Sequence, residues 1–169
     1  MIRTIKTISV LGFLICLLIM YMTDHGIPGI RKYDPSFRLL DMHFHYSSET
    51  VKETFDKISE GGRIAYKTYL LLDFIFIVFF LITMFTISDV VLISSQLKII
   101  ICTVCGLRAL FDVLENILLL RMLGQYPLFN DNLAKICPWL TSFKFIMLYI
   151  WLIVILSQTV ICGLKSIKR

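Results

Sequence analysis

Four long apolar runs, at residues 8–23, 68–87, 97–120 and 139–164, divide the chain. Each approaches or reaches the ~20 residues that cross about 30 Å of hydrocarbon. None alternates with period two, so membrane β-strands are excluded. The first two runs are separated by the one sizeable polar region, residues 24–67. His25-Gly26-Ile27-Pro28-Gly29 ends the first helix, because proline and two glycines oppose its continuation. Tyr33-Asp34-Pro35 reads as a turn. A short amphipathic helix then follows, with Ser47 or Ser48 as its cap and Glu49 in its first turn. Val51, Phe55 and Ile58 share its apolar face, opposed by Lys52, Glu53, Asp56 and Lys57. Gly61-Gly62 is expected to end it. Residues 88–96 read as a connection, Gly124-Gln125-Tyr126-Pro127 as a turn, and Pro138 as a first-turn residue opening the last helix. The pattern predicts an all-α membrane protein: a four-transmembrane-helix bundle in a single domain, residues 1–169, with a short interfacial amphipathic helix in the first loop.

Composition agrees with that pattern. The 169 residues are 57% hydrophobic and 17% charged, and the mean hydropathy is +0.81. The net charge of +5 is carried by lysines and arginines spread over the termini, loops and helix ends. Basic residues flanking apolar spans are usual in membrane proteins. No basic patch is interleaved with aromatics, so nucleic acid is not an expected partner. Arg3 and Lys6 before an apolar run resemble the start of a signal peptide, but no small-residue cleavage site follows. The run is therefore expected to remain as the first of several membrane passes, in a membrane the sequence does not identify. The distribution of Lys and Arg leaves orientation open.

One segment interrupts the lipid-compatible pattern. On a helix, Cys105, Arg108, Asp112, Glu115 and Asn116 fall within an arc of roughly 100°, opposite Leu107, Leu110, Phe111, Leu114 and Leu118. A charge at bilayer depth costs about 2.5–3.5 kcal/mol on insertion scales, so the stripe has to face protein or water. Asp73 in the second run and Lys144 in the fourth each lie about 9 Å inside their helices from the loop face, the same layer as Glu115. Three acids then meet Lys144 and Arg108, and one acid is left for a proton or a cationic ligand to neutralise. Tyr66 and Tyr69 precede Asp73 on its face and suit a membrane interface. The candidate ligand-binding set is therefore Tyr66, Tyr69, Asp73, Arg108, Asp112, Glu115, Asn116 and Lys144. The same network can also serve to hold four helices in register.

Two further signals are incomplete. Asp41, His43 and His45 would share one face of an extended segment, but no further ligand is spaced to complete a zinc site. Cys102 and Cys105 have redox-motif spacing without a redox context. Cys16, Cys137 and Cys162 also lie in or at the ends of helices, and residues 24–67 contain no cysteine. No disulfide framework, metal or cofactor is expected.

A CxxC pair in a four-helix membrane protein invites comparison with vitamin K epoxide reductases. Those require a loop cysteine pair that this chain lacks, and the match is rejected. In size, layout and a long first loop leading to buried acids, the chain resembles the EXPERA-type proteins, the sigma-2 receptor and sterol isomerase group. That architectural resemblance implies sterol-like amines held against carboxylates, with Asp73, Asp112 and Glu115 as the analogous candidates. Tyr46-Ser47, Gly62-Arg63-x-x-Tyr66, Asp73, Asp112-x-x-Glu115-Asn116 and Lys144 together resemble a family of small uncharacterised four-helix membrane proteins. This second resemblance covers most of the chain after residue 40 and implies no particular chemistry.

The expected function is binding of a lipid-like or sterol-like amphiphile whose polar or cationic head faces the buried cluster, with membrane lipids as surroundings. The alternative is a non-catalytic accessory or structural subunit of a larger membrane-protein complex. An enzyme on this scaffold would use a protonated carboxyl as general acid, but no nucleophile–base pair or metal set points to one.

Overall fold

The computed structural model describes residues 2–128 and 130–167. Among these, the regular structure is entirely helical: α1 (Ile2–Met22), α2 (Ile27–Arg31), α3 (Ser48–Lys57), α4 (Ser59–Val91), α5 (Ser95–Gln125) and α6 (Asp131–Ile167), with a 3-10 turn at Leu40–Met42. Three segments are long and apolar enough to cross a membrane: Thr4–Arg31, Ser59–Val91 and Asp131–Gly163. The 31 residues of α5 have the length, but Arg108, Asp112 and Glu115 stand in its middle.

The long helices extend past their apolar runs, and local chemistry explains each extension. Ser47 caps α3 by accepting from the Thr50 N–H. The chain then turns at Ser59, whose φ of 57° is left-handed. Gly61 and Gly62 do not terminate α3. They sit in the first turns of α4, where a Cβ at Gly61 would come within 2.4 Å of the Tyr33 ring. Likewise α2 accommodates Pro28 at its start, and Gly29 lies so close to the Asp24 carbonyl that a Cβ there would be 1.8 Å from its oxygen.

The last helix begins at Asp131, and Pro138 lies inside it instead of opening it. The Asn130 side chain accepts from the Asn132 N–H at 2.9 Å, a cap the proline signal obscured. Proline forfeits one intrahelical bond, which the 37-residue helix absorbs. Between α4 and α5 the connection shrinks to residues 92–94, because Ser88 is still helical and Ser94 caps α5.

α1 packs on α4, α4 on α5 and α5 on α6, while no comparable packing joins α1 to α6. Phe13 of α1 stacks on Phe76 and Phe80 of α4, at 5.4 and 5.1 Å between ring centroids. Two apolar cores form at opposite ends. At the loop end, Val51, Phe55 and Ile58 of the α3 segment are fully buried with Ile30, Leu40, Tyr66, Leu70, Leu119 and Met122. The expected amphipathic helix thus sits on the mouth of the helices. At the other end, Met84, Leu92, Ile101, Cys105, Trp151 and Ile155 pack together, and the Trp151 indole N–H donates to Ser88 Oγ at 3.0 Å. Asp89 joins Lys6 and Lys98 there, at 2.6 and 3.1 Å. Between the cores, Asp73, Arg108, Asp112 and Lys144 are buried alongside Ile77 and Ala109.

Candidate ligand-binding site

The polar layer begins on α5. Four residues apart on one face, Arg108 and Asp112 meet at 2.7 Å from Nη2 to Oδ2. Lys144 of α6 bridges the two acids of the stripe, with Nζ 2.8 Å from Asp112 Oδ1 and 2.7 Å from Glu115 Oε2. The Thr141 hydroxyl, one turn before Lys144, donates to Glu115 Oε1. On α4, Asp73 accepts from the Asn116 amide at 2.7 Å. Arg108 also covers the Phe80 ring, 4.5 Å from its centroid. All of these charged and amide groups are buried, and opposite them on α5 Leu107, Leu110 and Leu114 are exposed while Leu118 is half-buried. The stripe therefore faces the protein interior.

Among the described residues, Asp112 and Glu115 are each met by a cation and Asp73 only by an amide. A fourth acid belongs to the layer and was not in the candidate set. Asp41, on the 3-10 turn, is 3% exposed, and its Oδ1 has no hydrogen-bond partner among the described residues. Burial pushes its carboxyl up to about 7, against the opposing pull of the Lys144 ammonium. Four acids thus share the layer with two bases. Arg108 Nε and Nη1 and Asn116 Oδ1 are likewise buried without partners, leaving donors and acceptors open in a site that is otherwise well paired.

A half-enclosed cavity of about 190 Å³ opens on this layer. Asp41, Asp73, Arg108, Asp112 and Lys144 form its polar part. Leu17, Met20, Tyr21, Phe76, Phe80, Phe145 and Leu148 are among its apolar walls. Those walls come from α1, α4 and α6, so the cavity lies where α1 and α6 fail to close on one another.

The candidate residues divide around this cavity. Asp73, Arg108, Asp112, Lys144 and Tyr69 line it. Glu115 and Asn116 stand behind, holding Lys144 and Asp73 in place. Tyr66 does not reach it. Both tyrosines are covered by protein: Tyr66 is fully buried, edge-on to Phe37 at 5.3 Å, and Tyr69 is 2% exposed. The polar loop folds over this end of α4 and covers both rings, which a helix-by-helix reading does not anticipate.

Asp41, His43 and His45 are not brought together. The 3-10 turn sends Asp41 inward. His43 Nδ1 meets the Leu39 carbonyl at 2.8 Å, and the His45 ring packs edge-on to Trp139. Among the described residues no group of three or more side chains could hold a metal ion. All five cysteines are free. The only sequence signal for Asp41 was its position after Phe37, Leu39 and Leu40, an acid in an apolar run that the neighbouring histidines made look like a ligand. No family model, curated protein or solved structure matches the chain.

Proposed function

We propose that the protein spans the membrane four times, with α5 as the fourth pass, and binds an amphiphile through a cationic head. The observation that carries this reading is a cavity with two carboxylates, Asp41 and Asp73, that no cation pairs among the described residues. Asp112 and Glu115 already have Lys144 and Arg108. A protonated amine between Asp41 and Asp73 would offset the remaining negative charge and supply donors to the lone Asp41 oxygen. At about 190 Å³ the cavity suits a head group and a few carbons, since complete small-molecule sites span about 300–1,000 Å³. The apolar remainder, acyl or sterol-like, would lie in the gap between α1 and α6. Leu14, Ile15, Leu18 and Ile153 are among the exposed apolar residues of those helices, a surface compatible with lipid.

Native mass spectrometry of the protein extracted gently from its membrane tests this. The expected result is a bound amine-bearing amphiphile, retained by the wild type and lost from Asp73→Asn while the variant keeps its fold. Defined protein partners without a retained small molecule would refute it. So would an Asp73→Asn variant that changes only assembly or abundance, the behaviour of an accessory subunit.

A further inference from the structure

A second cavity, of about 320 Å³, adjoins the first at the loop end. Tyr21 and Met42 line both. The wall between them is the segment Leu39–His43, which presents Asp41 to the first cavity and Leu39 and His43 to the second. The two have opposite electrostatic character. Acids outnumber bases in the first, whereas Arg31, Arg38 and His43 are the ionisable side chains of the second apart from the Tyr21 phenol they share.

The local carboxylates are occupied elsewhere. Asp24 pairs with Lys32, and Asp34 accepts from the Ser36 N–H and hydroxyl. Arg31 gives its Nε to the Phe37 carbonyl at 3.3 Å. Its two terminal nitrogens have no partner among the described residues, the arrangement by which a guanidinium takes an oxyanion in two parallel bonds. His43 Nδ1 donates to the Leu39 carbonyl, which in the neutral ring leaves Nε2 an acceptor, so the donors for an anion are the two arginines. Arg31 and Arg38 are both solvent-exposed and His43 is half-buried, so an anion would be held at the rim of this cavity.

From these observations we infer that the basic cavity is an anion subsite for the ligand of the acidic one, taking a phosphate carried by the same amphiphile. The inference rests on the amine reading above. His43 is two residues from Asp41 and Arg38 three, so their backbone positions lie within about 7 and 10 Å along the chain. An amine and a phosphate on neighbouring carbons would reach both cavities past Tyr21 and Met42, the side chains that line both, with the tail leaving toward α1.

The test uses the full chain in detergent micelles, titrated with sphingosine and with its phosphate ester. For the wild type, the phosphate ester is expected to bind at least about tenfold more tightly, as for added hydrogen bonds to a charged group. Arg38→Gln should remove most of that advantage and leave sphingosine binding unchanged. Arg31→Gln is the second variant, judged only if its melting profile is intact, because Arg31 also pins Phe37. Asp73→Asn should weaken both ligands.

Equal binding of the two ligands by the wild type, with Asp73 still required, would overturn the anion subsite and leave the amine reading standing. Failure of both ligands to bind would sink both. An Arg38 variant that loses sphingosine as fully as the phosphate ester would mark a structural role and overturn the subsite. Tighter sphingosine binding in millimolar inorganic phosphate would mean that a free anion fills the cavity, overturning the single-ligand assignment.

Discussion

Replacing Asp41 with asparagine isolates the least satisfied group in the polar layer. Its carboxyl is raised from an ordinary 3.8 to about 7, chiefly by burial. Lys144 opposes the rise, while Glu115 and Asp112 add to it. Asp73, Tyr66 and Tyr69 also sense its charge. The folded protein therefore holds this proton more tightly than the unfolded chain does. The resulting stabilisation is complete below about pH 4 and is lost as pH rises through about 7. At about 1.4 kcal/mol per pH unit of difference, the whole effect is about 4 kcal/mol. Wild-type protein should therefore melt at progressively lower temperature between about pH 4 and pH 7, followed by the fluorescence of Trp139 and Trp151. Asp41→Asn should flatten that slope and melt higher than wild type at the alkaline end. Amine-amphiphile affinity should move the other way, rising in the wild type as the carboxyl ionises and staying low and flat in the variant. A variant that keeps the wild-type slope would refute the assignment of this proton to Asp41.

Three other perturbations probe separate parts of the structure. Lys144→Met leaves Glu115 without its cation, and breaking such a buried pair costs about 3–5 kcal/mol; folded yield on size-exclusion chromatography should fall sharply. Glu115→Gln, which can keep a partner in Thr141, should lose much less on the same column. Ser59→Gly relieves the left-handed φ of 57° and should raise stability by up to about 1 kcal/mol, read as melting temperature. Phe55→Ala empties a fully buried site under α3 and should cost about 3–5 kcal/mol. The Phe55 variant, assayed below its new melting point, should still bind amine amphiphiles.

Much of the fold was legible because its signals are local. Period and length alone mark the apolar runs as helices, and Val51, Phe55 and Ile58 reveal their buried face by spacing. The ends were less legible because their signals compete. Gly61-Gly62 and Pro138 are the residues that usually stop or start a helix, yet each lies within one. At Gly61 the missing side chain makes room for Tyr33, a contact between residues far apart in sequence. At Pro138 the helix is already under way, its start capped upstream by Asn130. The stripe on α5 was legible for the opposite reason. Charges are so costly in lipid that the arc holding Arg108, Asp112, Glu115 and Asn116 leaves only one inward direction, and the exposed leucines confirm it.

Asp41 was hidden because helical periodicity does not apply to a loop. Read as extended chain, it shares a face with two histidines; folded into a 3-10 turn, it shares a cavity with Asp73 instead. That difference changes the chemistry of the site. Three acids against two bases leave one negative charge, which a single proton removes. Adding Asp41 leaves a second, and two carboxylates facing one cavity bind a cation better than either alone. The residue also lies on the wall that separates the acidic cavity from the basic one. A substitution there should alter head-group preference as well as affinity, whereas Glu115 and Asn116, which do not line the acidic cavity, should alter stability first. This contrast between lining and supporting residues is what distinguishes a binding site from a helix-registering network made of the same side chains.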